Sequence, residues 1–224
     1  MEIDELVEEL KIQMEAIRRT ENSKAMSAYM KNLFPFLGIK KPVRETISKP
    51  WIKAIVKYEP QSYRQLISEL WKLSEREYQY IAMELMWSAR KFWQEDHVQL
   101  CENLVQDKSW WDTVDFLAAR ALGTYLQNKP ELLVQKIKNW SDDPNLWINR
   151  TAILVQLKYK EKTNTELLLQ AITPHLRSKE FFHQKAIGWA LREYAYTDPA
   201  WVMKICDSMP LAPLSRREAL KHLK

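Results

Sequence analysis

The chain has 224 residues, 46% of them hydrophobic, which excludes a disordered polymer and allows one large domain or two small ones with a sizeable core. Only 3 glycines argue against turn-rich β architectures, and no apolar run approaches the roughly 20 residues of a membrane span. The formal charge is +5, a basic bias that permits a polyanionic partner without demanding one.

The charge is unevenly placed. Residues 1 to 20 carry six acids and three bases, whereas residues 141 to 224 carry thirteen bases and nine acids. Cys101 and Cys206 have no metal-like spacing, and His97, His175, His183 and His222 match no zinc pattern. No metal or cofactor is therefore expected. With no leader peptide in view, a reduced cytoplasmic compartment is expected as well.

Helical periodicity dominates from the start, and no alternating strand is convincing. Residues 3 to 19 form an amphipathic helix with Ile3, Leu6, Val7, Leu10, Met14 and Ile17 on one stripe. A second helix runs from about Ser23 to Phe34 and stops near Gly38. A third has Pro42 in its first turn and is expected to break at Pro50.

From there the chain reads as helix pairs. First helices start at Pro60, Asp96, Pro130, Thr163 and Pro199, at intervals of 36, 34, 33 and 36. Second helices follow Ser74, Ser109, Asp143, Ser178 and Ala212 or Pro213. Ser74–Glu77, Ser109–Asp112, Thr163–Glu166 and Ser215–Glu218 have the spacing of capping boxes or near relatives. A helix pair recurring about every 35 residues marks an all-α solenoid of the HEAT, armadillo or tetratricopeptide kind. No linker interrupts it, so residues 1–224 are expected to form one domain, N-terminal helices over 1–55 and repeats from 60 onward.

In a solenoid, equivalent positions align in columns. Steps of 35 residues link Tyr80, Asp115, Arg150 and Lys185. Asp115 and Arg150 should then lie one helix spacing apart, on the order of 10 Å between axes. Asp115 stands among Trp111, Ala118 and Leu122, and no base lies three or four residues away. It must take a partner from another helix or serve a ligand. The pattern leaves both open.

Between Lys179 and Tyr196, Ala186, Ile187, Ala190, Leu191 and Tyr194 suit the core. Phe182, Lys185, Trp189, Arg192 and Tyr196 fall within about 80° on the other side. That aromatic and basic face reads either as a nucleic-acid surface or as bases snorkelling over a packed stripe. Gly188 in mid-helix would let another helix approach closely. Residues 144 to 160 add Arg150 and Lys158, and Arg216, Arg217, Lys221 and Lys224 follow near the end, enough bases to track a phosphate backbone. No glycine-rich phosphate loop, GxSxG elbow or Cys–His pair is visible.

The strings YMKNLFPFLGIKKP, SWWDTVD, NLWINRTAILVQLKYK, SKEFFHQKAIGWALREYA and LAPLSRREALKH resemble the AlkD family of bacterial DNA alkylation-repair glycosylases over nearly the whole chain. The resemblance implies a C-shaped solenoid holding duplex DNA in a concave basic cleft. It implies hydrolytic excision of cationic N3- and N7-alkylated purines without an obligatory base-flipping pocket. By motif, Asp115 takes the place of the catalytic aspartate, Trp111 and Trp189 that of the aromatic pair flanking the lesion's sugar, and Arg150 that of a cleft arginine. Tyr29, Lys158 and Arg192 fall on DNA-contacting positions, and Lys185 joins them on the basic face. The expected partner is duplex DNA carrying alkylated purines, bound by a monomer, with no membrane association. One departure is visible: where family members can carry two adjacent bases, this chain has Arg44-Glu45. The last helix is expected to be short. The competing class is a non-catalytic HEAT-like solenoid that binds DNA or protein.

Overall fold

A computed structural model describes residues 2–223, and every regular element among them is helical. The chain groups into two compact units, Met1–Gln94 and Glu95–Lys224.

The first unit contains α1 (Ile3–Ala16), α2 (Thr20–Tyr29), α3 (Lys41–Tyr58), α4 (Tyr63–Lys72) and α5 (Arg76–Ser88). In α1 the buried residues are Leu6, Val7, Leu10 and Met14, the centre of the expected stripe. The second helix stops earlier than expected, because Lys31 and Asn32 both turn left-handed, with φ of 58°. The following irregular stretch is held by a buried carboxylate. Glu77 accepts from the backbone N–H groups of Leu37, Gly38 and Ile39 at 3.0, 2.9 and 3.0 Å. Gly38 is required there: its φ is +84°, and a Cβ would fall 1.9 Å from the Arg19 carbonyl oxygen.

The expected break at Pro50 does not occur, and α3 runs through it. Pro50 and Thr46, whose carbonyl loses its helical donor, are both exposed, so water can replace the missing bond. On the opposite side Trp51, Ile52 and Ile55 are buried, and the Trp51 indole donates to the Leu6 carbonyl at 3.2 Å. Packing keeps the helix continuous.

The second unit contains α6 (His97–Gln106), α7 (Trp111–Phe116), which widens into a π-helical stretch Leu117–Leu122 and ends as α8 (Gly123–Leu126), then α9 (Pro130–Ser141) and α10 (Leu146–Leu154). It closes with α11 (Thr165–Ile172), α12 (Phe181–Tyr194), α13 (Pro199–Ser208) and α14 (Pro213–Ala219). All start within two or three residues of the positions read from the repeat. The capping boxes do not form at those starts. The N-cap residues are Glu75, Trp110, Asn164 and Ala212, and only Asn164 caps with its side chain, accepting from the Leu167 N–H at 3.1 Å. α5 and α7 begin beyond Ser74 and Ser109, α14 begins before Ser215, and Ser109 donates back to the Val105 carbonyl at 2.6 Å.

A different device recurs. An amide near the start of a second helix satisfies carbonyls leaving the first. Gln79 donates to the Leu73 carbonyl at 2.8 Å, Asn149 to those of Asp143 and Trp140 at 2.8 and 2.9 Å, and Gln184 to that of Ser178 at 2.9 Å. Asn149 is further tied to His183, whose Nε2 donates to its Oδ1 across 3.2 Å. That assigns the acceptor role to His183 Nδ1, which receives the Ser178 hydroxyl at 2.9 Å. The His175 ring stacks on His183 with centroids 4.3 Å apart and donates to the Ser141 carbonyl at 3.1 Å.

Two outcomes follow. Glu77→Ala strands three buried N–H donors and should destabilise the protein by about 3 kcal/mol or more, read as a lower urea midpoint. Burial, the neighbouring His175 and the Arg150 charge push His183 down to about 4 from 6.5. Its folded-state value lies below its unfolded one, so unfolding takes up a proton between them. Stability should be fully present above about 6.5 and fall as the pH drops towards 4, by up to about 3 kcal/mol. The difference in melting temperature between wild type and His183→Gln across that window isolates this group from the carboxylates.

Candidate functional site

The chain enters α7 in an extended conformation at Trp110, with φ −160° and ψ 162°. Trp111 and Asp112 then occupy the first turn, where an acid suits the helix dipole, and Asp115 follows one turn after Trp111. Asn145 caps α10 by accepting from the Trp147 N–H at 2.8 Å, which fixes the turn that presents Arg150.

Arg150 makes a fork. Its Nε and Nη2 donate to Asp115 Oδ1 and Oδ2 at 2.7 and 2.9 Å, and Nη1 donates to the Phe182 carbonyl at 2.8 Å. Three helices, α7, α10 and α12, therefore meet at one guanidinium. The Arg150 side chain is only 5% exposed and that of Asp115 17% exposed. The cation is sealed, whereas its carboxylate partner keeps an open edge. Burial pushes the Asp115 carboxyl above the ordinary carboxylate value; the Arg150 hydrogen bonds and charge oppose that shift, and Asp112 adds to it.

An aromatic cluster lies beside the pair. Trp110, Trp147 and Phe182 stand near the starts of three successive second helices, with centroids 5.6 Å (Trp110–Trp147), 4.9 Å (Trp110–Phe182) and 4.8 Å (Trp147–Phe182) apart. The Phe182 ring centroid is 5.8 Å from the Arg150 guanidinium carbon. Trp147 was not singled out by the sequence. The signal that would have found it is its spacing of 37 and 35 residues from Trp110 and Phe182.

The other candidate residues divide. Trp111 and Trp189 are half-buried. Lys158, on the segment following α10, pairs with Glu193 at 3.0 Å. Lys185 pairs with Glu218 at 2.9 Å, and Arg192 binds the other oxygen of that carboxylate and its backbone carbonyl. Lys185 therefore turns to α14 rather than to the acidic member of its column. Gly188 explains the close approach, since a Cβ there would lie 2.5 Å from Glu218 Cβ and 2.8 Å from the Ser215 carbonyl oxygen. Tyr29 belongs to the first unit and is 69% exposed. Also in that unit, Arg44 is buried against Glu84 at 2.6 Å, and Glu45 pairs with Lys49 at 2.8 Å and Lys41 at 3.7 Å.

Among the described residues, no group of three or more His, Cys, Asp and Glu side chains could hold a metal ion, and no helix is long and apolar enough to cross a membrane. The arrangement offers instead one partly open carboxylate, fixed by a buried arginine beside aromatic rings.

The sequence model for DNA alkylation repair enzymes matches residues 10–223. The solved structure of a predicted DNA alkylation repair enzyme from Enterococcus faecalis is 36% identical to this chain, with a TM-score of 0.86, and the match covers 92% of this chain and 96% of that one. No curated protein matches the chain. With its sequence matched almost from end to end and its fold shared, the chain belongs to the family of DNA alkylation repair enzymes.

Proposed function

We propose that the protein is a DNA glycosylase that hydrolyses the bond between deoxyribose and N3- or N7-alkylated purines in duplex DNA. The observation that carries this reading is the Asp115 carboxylate, gripped through both oxygens by Arg150 yet still open at one edge.

The chemistry suits such a group. An alkylated purine of this kind is cationic, so its glycosidic bond is already weakened. As the C1′–N bond breaks, its electrons return to the base, which leaves neutral, and positive charge develops on the sugar. A fixed carboxylate at that position stabilises the charge without reorganising. It also aligns a water whose oxygen bonds to C1′ and whose proton passes to the carboxylate or to solvent. Arg150 sets the orientation of Asp115 and favours its charged form. The indole faces of Trp111 and Trp189 would add about 0.5–2 kcal/mol each in cation–π stabilisation of the sugar. Nothing in this scheme requires a pocket for an extruded base. Lys158, Lys185, Arg192 and Tyr29 are assigned to the DNA backbone.

Incubation with duplex containing N7-methylguanine should release free base. Asp115→Asn keeps the shape but removes the charge. If the carboxylate's interaction is worth about 3–4 kcal/mol, single-turnover release should fall roughly 10²–10³-fold, with duplex binding retained. Loss of the carboxylate charge also leaves the buried Arg150 uncompensated and should cost about 3–5 kcal/mol of stability in either reading, so a non-catalytic solenoid would show that loss with no change in base release. Melting temperature and base release measured on one preparation separate the two. Arg150→Ala should slow release less than Asp115→Asn does.

The required form is the carboxylate, and burial raises its proton affinity. Enzymatic release should therefore fall as pH drops, along a one-proton limb above the 3.8 of an ordinary aspartate. Spontaneous depurination is subtracted, and Asp115→Asn should lack that limb.

A further inference from the structure

The bases assigned to DNA phosphates are already occupied. Glu218 on α14 takes Lys185 on one carboxylate oxygen and Arg192 on the other, with its own backbone carbonyl also accepting from Arg192. The Lys185 hydrogen bond, followed by that of Arg192, holds the Glu218 carboxyl down to about 2, and its side chain is 15% exposed. Glu193 on α12 takes Lys158. Two carboxylates thus bind three bases. The close seating of α14 is built into the sequence through Gly188, where any Cβ would collide with Glu218 and Ser215. Arg192 still has donors, on Nε and Nη2, that these bonds do not use.

We infer that Glu218 and Glu193 are internal competitors for DNA phosphates, which lower the affinity of the α12 face for duplex DNA, damaged and undamaged alike. The inference rests on the glycosylase reading for its ligand. Binding duplex here is an ion exchange. A phosphate must displace a carboxylate, and fewer counterions leave the DNA than the number of bases suggests. Each neutralised phosphate contributes about 0.9 to the slope of log K against log salt. Phosphate contacts carry no sequence or lesion information, so masking them weakens all duplex binding alike. What then distinguishes a lesion is its charge beside Asp115.

The test compares the wild type, Glu218→Gln and Glu193→Gln on undamaged duplex, by fluorescence anisotropy across a salt series. Each variant should bind several-fold more tightly at low salt, and its slope should steepen by about 0.9 for each base released. The Glu218→Gln gain should vanish when Lys185→Gln and Arg192→Gln are added. The affinity ratio between an N7-methylguanine duplex and normal duplex should stay unchanged, because the phosphate contribution is common to both. Unchanged or weaker binding by a folded Glu218→Gln overturns the inference, because the carboxylate would then only brace the two bases. If Glu218→Gln does not fold, Glu193→Gln decides, since the Lys158–Glu193 pair is largely exposed at 53% and 32%. A steeper slope there supports the inference, and an unchanged one overturns it. A wild type that binds duplex while neither variant binds more tightly sinks this inference alone. A wild type and variants that bind no duplex at any salt sink the glycosylase reading with it.

Discussion

A buried guanidinium cannot be left unpaired, and the second unit depends on how Arg150 meets that requirement. Its charge cannot be shed by deprotonation, so burial at 5% exposure demands acceptors on every side. Asp115 supplies two and the Phe182 carbonyl a third. Because these come from α7 and α12, the arginine fixes three consecutive second helices against each other. The same bonds fix the carboxylate. Its orientation is set by two parallel donors rather than by its own rotamer preference, which is the pre-organisation that a charge-stabilising group needs.

The layer behind this pair serves the same end. Asn149 precedes Arg150, and His183 follows Phe182, so the Asn149–His183 hydrogen bond joins the neighbours of two of the residues that matter. Trp110, Trp147 and Phe182 cover another side with rings. Aromatic walls lower the local dielectric and so strengthen the charge interactions within them. Burial also raises the proton affinity of Asp115. An environment that makes the carboxylate more effective also makes it harder to keep ionised, and Arg150 is what offsets that.

Much of this was legible in the sequence because a solenoid converts spacing into proximity. The 35-residue interval placed Asp115 against Arg150, and that contact exists. The helix starts were recoverable for the same reason. What the sequence misplaced was local. Pro50 reads as a break in any window, and only the solvent exposure of Thr46 and Pro50 beside a buried Trp51 explains why α3 continues. The serine-led capping boxes had the right spacing, but α5 and α7 start beyond their serines and α14 starts before Ser215. Lys185 has the register to meet Arg150's column, yet Gly188 lets α14 close in and Glu218 claims it. Side-chain pairing across helices depends on approach distances that no periodicity encodes.

That last point changes how a basic surface is to be read. The bases near α12 look like a phosphate-binding stripe when counted along the sequence. Paired with Glu193 and Glu218 they are closer to a neutral surface with ordered donors. Net charge governs long-range attraction to a polyanion, whereas donor geometry governs what happens on contact. Internal carboxylates separate these two properties. Under the proposed reading they weaken attraction at a distance and leave Lys158, Lys185 and Arg192 held in place, so that contact with DNA would exchange one set of oxygens for another. In such an arrangement the residues that determine how tightly DNA is held include acids that never need to touch it.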